Sequence, residues 1–349
     1  MPDFADRLIA WQARHGRHDL PWQQSRDPYR VWLSEVMLQQ TQVDTVIPFY
    51  ARFLERFPDV RALAAARLDE VLGLWSGLGY YARARNLHAC ARQVVDNQAG
   101  EFPGSVEALA QLPGIGRSTA AAIATFCFGA RAAILDGNVR RILCRHFGIE
   151  GHPGQAAVQE RLWLLAEAEL PARDADRYIQ AQMDLGATLC TRSRPACTRC
   201  PVSKTCAALA TGRCATLPEA RPRKAKPTRH QHVAILRRGH EVLLEPRPPE
   251  GLWGGLLTLP EVASPAELGP WLARDHGLAV ERWRALEPVR HAFTHFTLEM
   301  QPLLVEVRSA EGSASGTRLA SIALDRLDGV PLPAPVRRLL ASPEVQFPG

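Results

Sequence analysis

Two carboxylate residues sit in sequence surroundings that should split their acidity. Glu35 lies in the stretch 27–40, which reads as one helix. Its neighbours three and four residues away are Val31, Trp32, Leu38 and Gln39, three of them apolar. A carboxyl among apolar groups resists ionisation, so its pKa should rise, as a general acid requires. Asp136 precedes Gly137-Asn138 and a helix expected to start near Val139. A helix N-terminus favours negative charge, so Asp136 should be ionised. One protonated and one ionised carboxyl is the pair that breaks a glycosidic bond. The acid protonates the leaving group and the anion faces the cationic sugar. A surface glutamate and a capping aspartate would look the same locally, so further signals must decide.

Cysteines supply one such signal. Cys190, Cys197, Cys200 and Cys206 follow Cys-x6-Cys-x2-Cys-x5-Cys, four thiols within 17 residues. A structural zinc usually takes two separated Cys-x-x-Cys-like pairs, and only the middle pair here has that spacing. Long arms on both sides suit a cubane iron–sulfur cluster, with zinc still open. Cys90, Cys127, Cys144 and Cys214 lack such spacing and read as core or surface thiols. Between the first two ligands, residues 191–196 carry Arg192 and Arg194. A basic loop pinned at both ends can meet phosphates or offset the negative charge of a cluster.

Leu112-Pro113-Gly114-Ile115-Gly116 lies between two helical stretches, 106–111 and 117–128. Gly114 and Gly116 permit a tight turn, and the amides leading into the second helix can point at an anion. This is the helix–hairpin–helix pattern, a sequence-independent grip on a nucleic-acid backbone. Alone it is weak; with the cysteine cluster downstream it is strong.

The elements that position these residues divide the chain of 349 residues into about two domains. Residues 1–214 read as mostly helical, with the apolar series Val139, Ile142, Leu143, His146, Phe147 and a stop at Gly148. Residues 215–231 hold three prolines and five basic residues and read as an extended linker. Residues 232–345 switch period. Val233–Leu236 and Val242–Leu244 look like strands joined through Arg238-Gly239. Ser264 to Glu267 looks like a capping box opening a helix that ends near Gly277. Phe296, Leu298 and Met300 alternate as in a further strand. The expected fold is therefore a mostly α domain followed by a smaller α/β domain.

Charge points to the partner. Residues 192–232 carry ten basic side chains and one acid, a net +9 that exceeds the whole chain's +6. Such a stripe suits a polyanion, although a solvated linker would also carry it. The longest run without Asp, Glu, Lys or Arg is 13 residues, against the ~20 of a spanning helix, so no membrane segment is expected. The N-terminus has acids and no apolar block, so a cytoplasmic protein with reduced thiols is expected.

The combined motifs carry a resemblance. Residues 34–42 (Ser-Glu-Val-Met-Leu-Gln-Gln-Thr-Gln), 77–87 (Gly-Leu-Gly-Tyr-Tyr-Ala-Arg-Ala-Arg-Asn-Leu), 112–119, 135–139 and the four-cysteine spacing occur together in that order. This closely resembles the MutY-type adenine DNA glycosylases of the endonuclease III-like superfamily, strongly over residues 5–215. Residues 232–340 more loosely resemble that family's C-terminal Nudix-like domain. The resemblance implies a monomer that removes adenine mispaired with 8-oxoguanine or guanine in double-stranded DNA, within base excision repair. Glu35 would protonate the purine at N7, Asp136 would stabilise the oxocarbenium-like sugar and Asn138 would help position Asp136. The adenine would be flipped out of the stack. Gln40 and Tyr80 look like the residues wedged beside 8-oxoguanine, and Leu20 and Trp22 like the lining of the adenine pocket. Cys190, Cys197, Cys200 and Cys206 would bind a [4Fe–4S] cluster. Thr294 and His295, after Phe293, resemble the family's Phe-Ser-His loop that contacts 8-oxoguanine, with Thr in place of Ser.

Two departures refine this. Lyase-competent relatives carry a lysine just after the hairpin, where this chain has Ser118. Residues 1–203 hold no lysine to substitute; the chain's three are Lys204, Lys224 and Lys226. The implied enzyme is monofunctional. The helix expected at 267–277 lacks the glutamate-rich box with which Nudix hydrolases hold magnesium, so recognition is expected there and not pyrophosphate hydrolysis. A glycosylase for thymine or an oxidised pyrimidine fits the missing lysine and the second domain less well. A non-catalytic iron–sulfur DNA-binding protein leaves Glu35 and Asp136 unexplained.

Overall fold

The computed structural model describes residues 3–221, 225–310 and 319–347. Packing divides them into two compact units. The described residues within Met1–Ala65 and Asn86–Arg223 form the first. Those within Ala66–Arg85 and Lys224–Gly349 form the second.

The helices run α1 (Phe4–His15), α2 (Pro28–Leu38), α3 (Val43–Arg56), α4 (Val60–Ala65), α5 (Leu68–Trp75), α6 (Ala82–Gln98), α7 (Val106–Leu109), α8 (Arg117–Phe128), α9 (Gly137–His146), α10 (Ala156–Ala168), α11 (Ala175–Thr188) and α12 (Ala207–Ala210). The core of the first unit joins α1, α8, α9, α10 and α11. Phe4 and Leu8 meet Ala121 and Ala122, Val139 and Leu143, Leu162, Tyr178 and Ile179. Val139, Ile142, Leu143 and His146 of the α9 series are buried as their spacing demands, Phe147 caps the helix half-buried, and Gly148 turns the chain at φ 63°. Helix α2 starts where expected, with the Asp27 side chain accepting from the Tyr29 N–H at 2.8 Å. It ends at Leu38, earlier than expected, because Gln40 turns into the left-handed region at φ 59°. Likewise α7 stops at Leu109 and not at residue 111.

In the second unit, eight strands form one sheet: β1 (Thr228–Arg238), β2 (Glu241–Pro246), β3 (Leu257–Thr258), β4 (Glu261–Val262), β5 (Leu278–Ala285), β6 (Val289–Ala292), β7 (Thr297–Ser309) and β8 (Ala320–Ala323). The central path is β3-β2-β1-β7-β5, with β1 and β7 parallel over ten residue pairs and the other pairings antiparallel. Alternate residues of β1 serve opposite faces. Val233 and Ile235 pack with Val336, Leu339 and Leu340 of α14 (Ala334–Leu340). Ala234 and Leu236 pack with Leu268 and Leu272 of α13 (Leu268–His276). A sheet covered on both faces reads as a continuous apolar run, which Val233–Leu236 does. The turn Arg238-Gly239 joins β1 to β2, as expected. The capping box does not form: Ser264 makes no side-chain cap bond, because a 3₁₀ turn at Pro265–Glu267 precedes α13. The stretch read as a linker is shorter than expected, since β1 begins at Thr228 and Leu217 is buried. Residues 222–224 of it lie outside the described residues.

Among the described residues no helix is long and apolar enough to cross a membrane.

Candidate active site

Glu35 sits near the end of α2 between the buried residues Ser34 and Val36. Burial, and after it the negative charge of Asp136, together raise its carboxyl to about 7. The two carboxylates that sequence pattern singled out, a hundred residues apart, therefore feel one another in the fold.

Asp136 is the N-cap of α9 and accepts from the Val139 N–H at 2.8 Å. The expectation that the helix end keeps its pKa low is not met, because burial raises it. The Val139 and Asn138 amides and the guanidinium groups of Arg141 and Arg140 pull the other way without prevailing. The two environments still differ in kind. Everything resolved around Glu35 favours the protonated form, whereas Asp136 has four groups favouring its anion. The charge that bears on Glu35 is that of the Asp136 anion.

Several residues hold this corner. The Ser118 hydroxyl, in the first turn of α8, accepts from the Leu135 N–H at 3.0 Å, one residue before Asp136. The Asn138 side chain accepts from Arg141 at 2.7 Å, and Arg141 also donates to the carbonyls of Gly186 at 2.7 Å and Cys190 at 2.6 Å. A Cβ on Gly186 would stand 2.5 Å from the Asn138 Cβ, so α11 passes close beside that side chain.

A cavity of about 650 Å³ opens nearby in the first unit. Trp22, Val31, Ser34, Phe126, His18, Gln23 and Gln180 are on its wall. Trp22 stands edge-on to Tyr50. Leu20, expected on the wall, is buried and is not among its lining residues. His18 and Gln180 have no signal in the sequence that marks them, since they reach the wall from separate elements. Gln180 is held by a bond to Asp184 at 3.0 Å, and that buried carboxylate also takes Arg17 at 2.8 Å.

The hairpin is built as expected. Leu112 is buried, the Ile115 N–H closes on the Leu112 carbonyl at 3.1 Å, and Gly116 is the N-cap of α8. Gly114 takes φ 76°, and a Cβ there would lie 2.7 Å from the Asn86 Cβ. Both glycines are exposed, leaving their amides open to an anion.

The four cysteines line one small cavity, and Cys214 joins them. That corrects the reading of Cys214 as an unrelated thiol: its Sγ lies 3.8 Å from the Cys197 Sγ. The buried Arg145 borders the cavity, 3.3 Å from the Cys190 Sγ, and is fixed by the carbonyls of Thr191, Arg192 and Leu217. Among the described residues no three His, Cys, Asp or Glu side chains are close enough to share a single ion. Four thiols around one hollow beside a fixed cation fit a larger anionic cluster. Arg192 and Arg194 are exposed on the loop between the first two thiols.

Of the remaining expected site residues, Gln40 and Tyr80 are exposed and both have positive φ, 59° and 49°. Only five non-glycine residues among those described do so, and strained backbone collects at functional positions. Thr294 and His295 form the exposed turn between β6 and β7, closed by Phe293 N–H to the Phe296 carbonyl at 2.8 Å. Phe293 and Phe296 stack below it at 4.7 Å.

Comparison with known proteins places the chain among its relatives. Residues 33–168 match the HhH-GPD superfamily base excision DNA repair protein family, and residues 232–342 match the NUDIX domain. The chain is similar to "Adenine DNA glycosylase" of Buchnera aphidicola subsp. Baizongia pistaciae, 33% identical over 97% of this chain and 95% of that one. It is also similar to the human protein of the same name, 38% identical over 85% of this chain and 66% of that one. Among solved structures, a thermostable thymine-DNA glycosylase aligns with TM-score 0.55 and 28% identity, over 60% of this chain and 95% of that one. A non-covalent endonuclease III–DNA complex aligns with TM-score 0.51 and 21% identity over 60% of this chain and 94% of that one, a likeness of fold.

Proposed function

The chain belongs to the adenine DNA glycosylases, base excision repair enzymes of the helix–hairpin–helix superfamily, and from that membership we propose which mispair it acts on and which residues carry the reaction. The substrate is duplex DNA with adenine opposite 8-oxoguanine or guanine. The observation that carries the reading is the pairing of Glu35, held near pKa 7, with Asp136, whose charge reaches it. A carboxyl raised to about 7 can still hold a proton near neutral pH, as a general acid requires. Glu35 donates that proton to N7 of the flipped adenine, which makes the base a neutral leaving group. Asp136, as its anion, faces the positive charge that develops on the sugar as the bond to the base breaks; water then adds to C1′ and loses a proton, leaving an abasic site. Ser118 and Asn138 position Asp136, through Leu135 and Arg141 respectively. Trp22 and the cavity it lines receive the base.

The exposed glycine amides of the hairpin, with Leu112 anchoring it, grip the phosphate backbone. Arg192 and Arg194 add contacts from the cysteine loop. Cys190, Cys197, Cys200 and Cys206 hold a [4Fe–4S] cluster, which keeps that loop folded. Gln40 and Tyr80 wedge the duplex at the mispair, and Thr294 and His295 read the 8-oxoguanine edge. No lysine stands near Asp136 in sequence, and Ser118 is engaged with Leu135, so the strand is left uncut.

The test is base release from duplexes carrying adenine opposite 8-oxoguanine, guanine, cytosine or thymine, read as strand breaks before and after alkali. Breaks only after alkali, and only opposite the two purines, are expected. Equal release opposite all four would remove the mispair assignment.

A further inference from the structure

The segment Ala66–Arg85 lies inside the sequence match to the glycosylase family, yet it packs with the C-terminal α/β residues. The contact is specific. The Ser76 hydroxyl donates to the Leu332 carbonyl at 3.2 Å, and the Tyr81 hydroxyl donates to the same carbonyl at 3.0 Å. Arg337, on α14, donates to the Ser76 hydroxyl at 3.2 Å and is itself fixed by the carbonyls of Val330 at 2.7 Å and Leu327 at 2.9 Å. Arg85 donates to the Gly254 carbonyl at 2.8 Å. Gly73 comes so close that a Cβ would stand 2.1 Å from the Gly329 carbonyl oxygen.

Between Ser76 and Tyr81 the chain is strained: Gly77, Gly79 and Tyr80 take φ of 112°, 72° and 49°. A non-glycine residue in that region persists only where its surroundings over-determine it. Part of the support is local, since Arg83 donates to the carbonyls of Leu78 and Gly79, and Trp75 donates to that of Gly79. The rest comes from residues more than 240 positions later in the chain. Tyr80 itself is 52% exposed, presented outward from this bracket.

We propose that Arg337, Ser76 and Tyr81 are positioning residues that anchor the Gly77–Tyr80 loop to the C-terminal α/β unit, so that this unit sets where Tyr80 is presented to the mispair. The α/β unit then acts twice in recognition, once through its own turn and once by holding a loop of the glycosylase sequence. The second half of this statement rests on Tyr80 being a lesion-side wedge.

The experiment uses the full chain. Arg337→Leu and Tyr81→Phe are compared with wild type by backbone amide exchange without DNA; Tyr81→Phe removes one hydroxyl and leaves the ring packed. Both should speed exchange within 76–81 roughly tenfold or more, with peptides of α8 and α9 unchanged, and Arg337→Lys should restore part of the protection. Unchanged exchange in 76–81 for both variants overturns the anchor. The preference for 8-oxoguanine over guanine is then measured for Arg337→Leu, Tyr80→Ala and the double variant. Positioning through Tyr80 predicts a double variant no worse than Tyr80→Ala alone. Losses that multiply refute action through Tyr80. A Tyr80→Ala protein with wild-type preference would remove Tyr80 from recognition, while the exchange result still decides the anchor.

Discussion

At the scale of single residues, the chemistry rests on how burial tunes two carboxyls. Glu35→Gln keeps the shape and removes the proton, so adenine release should fall by roughly 10²–10⁴-fold with duplex binding retained. Single-turnover excision measures this. The wild-type rate should decline as pH rises through about 7, because Glu35 then loses its proton. It should also decline toward acid pH as Asp136 is protonated. Stability follows the same carboxyl with a definite sign. Its folded pKa lies above the unfolded value, so folding loses stability as pH rises from about 4.5 to about 7, and the loss levels off above that. Glu35→Gln should therefore melt higher than wild type at pH 8, with the gap closing toward pH 5. An equal gap at both pH values would show that Glu35 is not held in its neutral form. Ser118 tests the positioning of Asp136. Ser118→Ala leaves the Leu135 N–H without its acceptor, at about 1–3 kcal/mol, and should slow excision. Ser118→Lys places an amine where lyase relatives carry one and removes the same bond. It should trap to DNA with borohydride while releasing adenine more slowly than wild type. Equal trapping by wild type would refute the monofunctional reading.

At the scale of elements, the hairpin and the cysteine loop separate binding from chemistry. Gly114→Ala needs φ 76° of a residue with a Cβ and drives that Cβ toward Asn86. Affinity should fall about tenfold for matched and mispaired duplexes alike, with the excision rate at saturation nearly kept. A titration against both duplexes decides it; loss confined to the mispair would mean that the hairpin reads the lesion. For the cysteine loop, metal analysis should return about four irons and four sulfides per chain with a broad absorbance near ~400 nm. Cys200→Ser should lower the iron content and weaken duplex affinity, since Arg192 and Arg194 lose their pinned frame. One zinc and no iron in anaerobically purified protein would overturn the cluster.

At the scale of the whole molecule, recognition and chemistry are divided between the two units. Truncation near Arg221 leaves both carboxylates, the hairpin and the four cysteines in the chain, so adenine release should survive. It removes Thr294 and His295. One hydrogen bond to the 8-oxoguanine edge is worth about 0.5–1.5 kcal/mol, roughly 2- to 13-fold in preference. It also strips the residues against which Ala66–Arg85 packs, so the loss should exceed that of Thr294→Ala, His295→Ala or both in the full chain. Preference ratios must be compared at one salt concentration, because the basic stretch lost with the truncation weakens binding to any DNA. A truncated protein with the full-length ratio would place recognition in Gln40 and Tyr80 and leave the C-terminal α/β residues without that role.

The local rules of the sequence determined much of this protein. Helical spacing placed Glu35 on α2, the Asp-Gly-Asn stretch placed Asp136 at the head of α9, and Gly-x-Gly placed the hairpin. Each depends on a few neighbours along the chain, so a periodic pattern and turn chemistry suffice. The apolar run Val233–Leu236 announced a buried strand for the same reason. What required the tertiary structure is whatever depends on partners far apart in sequence. Burial by several helices outweighed the helix end at Asp136. Cys214 reached Cys197 although no spacing rule links them. His18 and Gln180 met on one cavity wall. The parallel pairing of β1 with β7 joins residues about seventy positions apart. And Ala66–Arg85, glycosylase by motif, folded against the α/β residues because Leu332 and Arg337 supply the carbonyl and the cation that hold the ends of its strained loop, and Gly73 lets Gly329 approach.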